Sequence, residues 1–170
     1  MSDLRDVQRG LLCLLKGRRP EAALDPYLAR VAASQELLLA REIALWWRAF
    51  SLETYCLFTS RLMNRLGIFN PAVEEFFREC STSPFIEELS QEFLARVSTH
   101  QNPLVASVAR FERALCRVKR GDEAAYEIEW DRNPQLLLDA ILRGAPLPPA
   151  EDRTYKTIIS PRSIAAILPD

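Results

Sequence analysis

The chain has 170 residues, of which 48% are hydrophobic and 26% are charged, a composition typical of a globular protein with its own core. Its 22 basic and 23 acidic side chains give a formal net charge of -1, whereas proteins that bind nucleic acid usually concentrate Lys and Arg. No apolar run reaches about 18 residues and no secretion signal marks the N-terminus, so we expect a cytoplasmic protein that contacts neither membrane nor nucleic acid.

Proline and glycine mark where most of the predicted helices begin and end. Proline is tolerated in the first helical turn, and a preceding Asp, Asn or Ser accepts hydrogen bonds from the next free amides. Five such dipeptides open apolar segments of helical period: Asp25-Pro26, Asn70-Pro71, Ser83-Pro84, Asn102-Pro103 and Asn133-Pro134. We predict helices over residues 3–16, 26–50, 52–66, 71–80, 84–98, 103–119 and 134–143, ended in three cases by Gly67, Gly121 and Gly144. The second of these helices is expected to break near Ala33 or Ser34.

The last fifty residues have a different apolar period. In "YEIEW", residues 126–130, aromatic and branched side chains alternate with glutamates, which predicts a strand with one packed face and one acidic face. A short helix and a proline-rich connector follow, and then "TYKTIIS", residues 154–160, has the composition of a second strand. The final "SIAAIL" fits either a strand or a short helix.

These elements predict a mainly α fold with a small C-terminal α+β unit, that is, a helical bundle followed by a short β-sheet domain. We place the boundary after residue 121, with a helical domain over residues 1–121 and a small α+β domain over residues 122–170.

Side chains that perform catalysis are sparse. The four cysteines, Cys13, Cys56, Cys80 and Cys116, lie far apart in apolar helical segments, which favours buried free thiols over a metal or redox motif. His100 is the single histidine and precedes a helix start, so a surface or capping role is favoured over a catalytic one. The glycines form no phosphate-binding motif. We expect no catalytic residue, metal site or cofactor in this chain.

Two helical positions are of interest for contacts. Trp46 and Trp47 are adjacent, and because neighbouring residues on a helix point about 100° apart, we expect one of them to face a second helix layer or a partner protein. Glu112 lies at the margin of the apolar stripe that contains Phe111 and Leu115. For Glu112 a structural ion pair is the favoured role.

The segments "FFREC", "EELSQEFLARV" and "NPLVASVARFERAL", between residues 76 and 115, resemble the partner subunits that accompany multinuclear non-heme iron-dependent oxidative enzymes. In that family a helical domain, with a phenylalanine-rich helix and a Pro-x-x-x-x-x-Ala-Arg-x-Glu helix, precedes a small C-terminal domain. Pro103, Ala109, Arg110 and Glu112 match the second of these helices. The order "YEIEW", helix, "LPP", "TYKTIIS" is similar to the partner subunits of methanobactin and 3-thiaglutamate biosynthesis.

The resemblance implies that this chain is not itself the catalyst. Such a subunit binds a ribosomally made precursor peptide and presents the peptide's cysteine to a barrel-shaped iron enzyme, which modifies it. The iron would belong to the enzyme, and this chain would need no cofactor. Trp46 and Trp47, with Arg110 and Glu112 of the matching helix, are the expected partner interface.

A small sheet has an edge whose unpaired N–H and C=O groups can receive an extended peptide as an added strand. The candidate peptide-binding residues are Tyr126, Glu127, Ile128, Glu129, Trp130, Tyr155, Lys156, Thr157, Ile158 and Ile159. Among them, Glu127 and Glu129 are expected to meet basic peptide residues. The alternative from the residues alone is that both strands only cap the helical bundle.

Two other functional classes stay open. A DNA-binding regulator would fit a helical domain followed by a small winged unit, but its recognition helix would be basic, and "NPQLLLDAILRG" is mostly apolar. A general scaffold protein or an enzyme with an unrecognised site is the other alternative.

Overall fold

The computed structural model describes residues 3–18, 25–79, 83 and 85–165, and nine helices and two strands occur in these ranges. The predicted fold class, mainly α with a small sheet near the C-terminus, is confirmed. The elements in chain order are α1 (Leu4–Leu15), α2 (Pro26–Ala32), α3 (Gln35–Tyr55), α4 (Leu57–Arg65), α5 (Phe69–Glu79), α6 (Ile86–Val97), α7 (Pro103–Lys119), β1 (Tyr126–Trp130), α8 (Pro134–Arg143), β2 (Tyr155–Ile159) and α9 (Pro161–Ala165).

Three of the predicted helix starts are confirmed by their hydrogen bonds. Asp25, Asn102 and Asn133 each accept, through a side-chain oxygen, a hydrogen bond of 2.8 to 3.0 Å from the amide two residues later. These bonds satisfy amides that have no partner inside the helix. At the other end of α8, Gly144 adopts a φ of 68°, the left-handed conformation in which glycine ends a helix.

Two predicted helix boundaries are wrong. α5 begins at Phe69, so Asn70 lies within its first turn instead of ahead of it. α3 continues to Tyr55, and the break expected near residue 51 falls at Cys56, whose φ of -114° and ψ of 57° are not helical. No proline or glycine marks this break. The first turn of α4 is held instead by a residue of a distant helix, Glu112.

Two further boundaries fall near the edges of the described residues. Pro84 and Cys80 lie outside them, and α6 begins at Ile86. The described part of "SIAAIL" is helical, because α9 runs from Pro161 to Ala165, and residues 166–170 lie outside the description.

The chain divides into two compact units, each with its own packing. The first comprises Met1–Ser51 and Asn70–Thr82, and the second comprises Leu52–Phe69 and Ser83–Asp170. The functional boundary after residue 121 stays a prediction.

In the first unit, α1, α2 and the start of α3 share a small apolar core. Leu14, Leu28 and Leu37 form its buried centre, and Val7, Leu11 and Val31 pack against them. The end of α1 is joined to α3 by a hydrogen bond, since Arg41 Nε donates to the carbonyl of Leu14 at 2.7 Å. This bond satisfies a carbonyl that has no partner within its own helix.

In the second unit, α7 contacts α4, α6 and both strands. Its apolar side chains Val105, Val108 and Ala109 are fully buried, as expected for a helix that is surrounded on several sides. β1 and β2 are antiparallel, with a register from Tyr126 opposite Ile159 to Trp130 opposite Tyr155. α7 is therefore the helix on which the small sheet rests.

The Asn102 cap provides a test of the start of α7. Replacing Asn102 with Ala removes the acceptor for the amides of Leu104 and Val105 and should lower the free energy of unfolding by about 1 kcal/mol. Denaturant unfolding followed by circular dichroism measures this loss. Asn102→Asp, which keeps a side-chain acceptor, is the matched control and should retain most of the stability. Equal stability of the Ala and Asp variants would contradict this role.

Candidate functional site

The two faces of the sheet are as different as the alternation of residues 126–130 predicts. Ile128 and Trp130 are each 2% exposed, and Trp130 contacts Phe111 of α7 with ring centroids 5.6 Å apart. Glu127 and Glu129 are on the opposite, exposed face. The side chains of Ile128 and Trp130 are thus inside the unit and are not available to a docked peptide.

On β2 the same alternation separates the predicted peptide-binding residues. Ile159 is buried, and Thr157 accepts a hydrogen bond of 3.1 Å from Trp130 Nε1. Lys156 and Ile158 lie on the exposed face, where Ile158 is opposite Glu127. Tyr155 donates a hydrogen bond to Glu151 of the preceding connector.

The outer face of the sheet carries an ion-pair cluster. Lys156 Nζ lies 2.6 Å from a carboxylate oxygen of Glu127 and 3.5 Å from one of Glu129. Both glutamates raise the pKa of Lys156, so the lysine stays protonated and neutralises part of their charge. The expectation that these two glutamates read basic peptide residues stays a prediction, and they already have a basic partner within the chain.

A groove lies between α7 and β1 and is rich in arginine. It encloses about 160 Å³, smaller than the 300 Å³ or so at which cofactor-sized sites begin. This space accommodates a side chain or two. We call it the arginine groove, and its lining residues are Arg110, Arg113, Ala114, Arg117, Tyr126, Glu127 and Ile128.

One end of the arginine groove is held by a polar cluster. Arg117 Nε donates to Asp122 Oδ2 at 2.9 Å, and the Tyr126 hydroxyl donates to the same oxygen at 2.6 Å. The Arg117 guanidinium also lies 5.1 Å from the centre of the Tyr126 ring. The hydrogen bond from Tyr126 is the main cause that lowers the pKa of Asp122. This cluster fixes Arg117 at the N-terminal end of β1.

The other two arginines of the groove are not neutralised in this way. Arg110 Nε donates to the carbonyl of Ser98 at 3.1 Å, at the C-terminal end of α6. Arg113 Nε is buried and has no hydrogen-bond partner. Within the described part of the chain, neither Arg110 nor Arg113 forms an ion pair. The groove thus contains guanidinium groups whose charge no carboxylate balances there.

The β1 edge next to α7 is partly occupied. Ser107 Oγ of α7 donates to the carbonyl of Glu129 at 2.9 Å, so this carbonyl points toward α7. The arginine groove begins beyond this contact, next to residues 126–128. The sequence analysis assigned β1 to peptide binding and Arg110 to the partner interface, but it did not include Arg113 and Arg117, although the three arginines have the i, i+3, i+7 spacing of one helix face.

Glu112 is placed inside the second unit and not in an ion pair. It is 5% exposed, and its two carboxyl oxygens accept hydrogen bonds from Phe58 N at 3.0 Å and Thr59 N at 2.9 Å. These are amides of the first turn of α4, which no residue of α4 itself can satisfy. The predicted ion pair is therefore wrong, because two backbone amides fill the acceptor positions. Glu112 caps a helix from across the core.

Both tryptophans are largely exposed, and their predicted contact with a partner stays a prediction. Trp46 is 60% and Trp47 55% exposed, and their ring centroids are 5.4 Å apart. Trp46 also stacks on Phe50 at 5.6 Å. Leu39, Ile43, Trp46 and Phe50 follow the i, i+4, i+7, i+11 spacing of one helix face, and all four are about half exposed or more. We call these four residues, with Trp47, the α3 stripe. It belongs to the first unit.

The cysteines, the histidine and the possible metal ligands were the other candidates for chemistry in the sequence. Cys13, Cys56 and Cys116 are free thiols, and burial raises the pKa of Cys56. Cys80 lies outside the described residues. His100 is exposed, and its Nδ1 accepts a hydrogen bond from Asn102 N. In the described ranges, no three His, Cys, Asp or Glu side chains are grouped in a way that would hold a metal ion.

No protein-family model, curated protein or solved structure matches this chain. Among the described residues, no helix combines the length and the apolar character needed to cross a bilayer.

Replacing Glu112 with Ala should leave the first amides of α4 without an acceptor in the core. Buried unpaired amides cost about 1–3 kcal/mol each, so we expect the free energy of unfolding to fall by at least about 2 kcal/mol. Urea unfolding measures the loss. Glu123→Ala is the matched control, because Glu123 is exposed on the loop after α7 and its removal should change stability little. A small effect of Glu112→Ala would mean that the cap is dispensable.

The protonation of Glu112 gives a second test. Burial raises the pKa of its carboxyl, and the amides of Phe58 and Thr59 offset part of that rise. For an acid with a raised pKa in the folded state, the folded protein binds the proton more tightly than the unfolded chain does. The stabilisation that comes with the proton is complete below the unfolded pKa of about 4.3 and is lost as pH rises through the folded pKa.

The stability advantage of the native chain over Glu112→Ala should therefore shrink as pH rises from about 4.3 toward neutrality. Unfolding of both proteins at a series of pH values measures this difference. An advantage that grows with pH would show that the pKa is lowered instead.

Proposed function

We propose that this chain is a non-catalytic partner subunit of a multinuclear iron oxidative enzyme, which binds a ribosomally made precursor peptide and presents its cysteine for modification. The resemblance of Pro103, Ala109, Arg110 and Glu112 to the family's helix motif suggests this role. The structural observation that supports it most is the two-stranded sheet, whose β1 edge lies beside an open, charged groove. The complex would assemble in the cytoplasm as a heterodimer with peptide bound.

The small size of the sheet supports the proposal of peptide docking. Two paired strands leave one edge of each strand without a strand partner, and an extended peptide that lacks structure of its own can complete such an edge. Main-chain hydrogen bonds then provide affinity for many sequences, and alternating side chains set the register. In this proposal, the residues of Tyr126–Trp130 and Tyr155–Ile159 whose main-chain groups point away from the other strand receive the peptide.

The α3 stripe supports a separate contact with the enzyme. A contiguous run of exposed apolar side chains is unusual on a monomeric protein and is typical of protein interfaces. Tryptophan in particular is enriched among the residues that dominate binding energy. We assign the α3 stripe, with Trp46 and Trp47 at its centre, to the iron enzyme, and the sheet to the peptide.

The mechanism that follows is one of proximity. Holding the peptide on a subunit that is itself bound to the enzyme turns capture of the cysteine into a local event at high effective concentration. All bond making and breaking, and the iron that drives it, would belong to the enzyme. This chain would contribute orientation and selection of the peptide.

The proposal is tested by isolating the tagged chain from its native cells and identifying what is bound by mass spectrometry and metal analysis. We expect an iron-containing barrel enzyme together with a cysteine-bearing peptide. Recovery of DNA or of unrelated proteins alone, or modification of the peptide by this chain without a second protein, would refute the proposal.

Replacing Trp46 and Trp47 with Ser should remove the enzyme from the isolated complex and leave the peptide bound, because the two surfaces are assigned to different partners. Loss of two central aromatic contacts typically weakens an interface by 100-fold or more, at about 2 kcal/mol each. Phe85→Ser is the matched control, since Phe85 is a highly exposed aromatic residue outside the α3 stripe. Enzyme recovery that is unchanged by the double substitution would move the interface elsewhere.

A further inference from the structure

We infer that the arginine groove selects peptides with acidic side chains, and that the peptide pairs with β1 while two of its carboxylates, two residues apart, contact arginines of α7. This inference rests on the proposed function. It narrows the peptide-binding site to the β1 edge and the peptide to one with acidic side chains. The exposed glutamates of β1 suggest a basic peptide, whereas this inference assigns an acidic one.

The Ser107 contact indicates which main-chain groups of β1 point away from β2. In an antiparallel pair, the N–H and C=O of one residue point to the same side, and alternate residues point to opposite sides. Because the Glu129 carbonyl accepts from Ser107 on α7, the main-chain groups of Glu129 point away from β2, and so do those of Glu127. The N–H and C=O of Glu127 therefore face the arginine groove, which Glu127 lines.

This edge is short, and main-chain bonds alone give it little selectivity. Ser107 already occupies the Glu129 carbonyl, so Glu127 is the residue of β1 that offers both of its main-chain groups to an added strand. The side chain of Glu127 is engaged with Lys156 on the outer face. Selection of a peptide here must therefore come from groups beside the edge, and those groups are arginines.

The charge of the groove favours a carboxylate. Arg113 Nε is buried without a partner, and a buried unsatisfied donor is costly until an acceptor reaches it. Arg110 is exposed and, within the described residues, has no carboxylate partner, whereas Arg117 is paired with Asp122. Arginine and carboxylate form short, charge-assisted and often bidentate hydrogen bonds. An acidic side chain is the complement of Arg113 and its neighbour Arg110.

The spacing of the arginines along α7 is slightly shorter than that of alternate residues in a strand, and long arginine side chains can span the difference. Arg110 and Arg113 are separated by about 4.5 Å along the helix axis, and Arg113 and Arg117 by about 6 Å. Side chains two residues apart in a strand lie on one face at about 6.8 Å. Two acidic residues at positions i and i+2 can thus both reach the α7 side, while adjacent acidic residues would point to opposite faces.

Binding of four synthetic peptides to the full chain tests this inference. The peptides are a fluorescein-labelled TVETETV, its neutral counterpart TVQTQTV, the isomer TVEETTV with adjacent glutamates, and the basic TVKTKTV. Fluorescence anisotropy titrations measure the dissociation constants. We expect TVETETV to bind at least about tenfold more tightly than each of the others, since a hydrogen bond to a charged group is worth that much or more, and added salt should weaken it most.

Three arginine variants locate the contact. Arg113→Gln and Arg110→Gln should each remove most of the advantage of TVETETV over TVQTQTV and leave binding of TVQTQTV unchanged. Arg120→Gln is the matched control, because Arg120 follows α7, pairs with Glu87 and does not line the groove. Circular dichroism and thermal melting check that each variant is folded, and the exposed Arg110 provides the test if Arg113→Gln is not.

The outcomes separate this inference from the proposed function. Equal binding of TVETETV, TVQTQTV and TVEETTV, or tightest binding of TVKTKTV, overturns the acidic selection and leaves peptide docking in place. Failure of all four peptides to bind, while the native precursor recovered with the complex does bind, also overturns it. Duplex DNA and unlabelled TVETETV are also compared as competitors of labelled TVETETV. If DNA displaces the labelled peptide at the lower concentration and Arg113→Gln abolishes DNA binding, the groove is a nucleic-acid site and both proposals fail.

Discussion

The carboxyl group of Glu112 is the interaction on which the second unit depends. It reaches from the middle of α7 to the first turn of α4 and accepts from the amides of Phe58 and Thr59. Removing a carboxyl from water is costly, and the two hydrogen bonds together with the positive end of the α4 dipole offset part of that cost. The break between α3 and α4 at Cys56 is placed where this carboxyl can meet the new helix.

Once α7 is fixed by this contact, its other polar residues take defined positions. Arg110 binds the carbonyl of Ser98 at the end of α6, and Ser107 binds the carbonyl of Glu129 on β1. The matching motif residues Pro103, Ala109, Arg110 and Glu112 thus have structural reasons within this chain, as helix start, buried contact and two helix-end ligands. The side of α7 that faces β1 also carries a row of arginines, and this row is available for binding.

The sequence was informative where the signal is local. The Asn102 cap and the alternation of residues 126–130 depend on neighbours along the chain, and both were predicted. The partner of Glu112 was not, because its amides are more than fifty residues away. The sequence also left open whether one of Trp46 and Trp47 faces a second helix layer or a partner, because helical spacing defines a face, but only packing decides whether that face is covered.

The central claim is that a peptide adds to the β1 edge beside α7, and backbone hydrogen exchange tests it most directly. Amide exchange of the chain would be followed by NMR with and without bound precursor peptide. We expect the Glu127 amide to become protected when the peptide binds, while the amides of Lys156 and Ile158 on β2 keep their exchange rates. Protection of Lys156 and Ile158 with no change at Glu127, or no change in either strand, would contradict it.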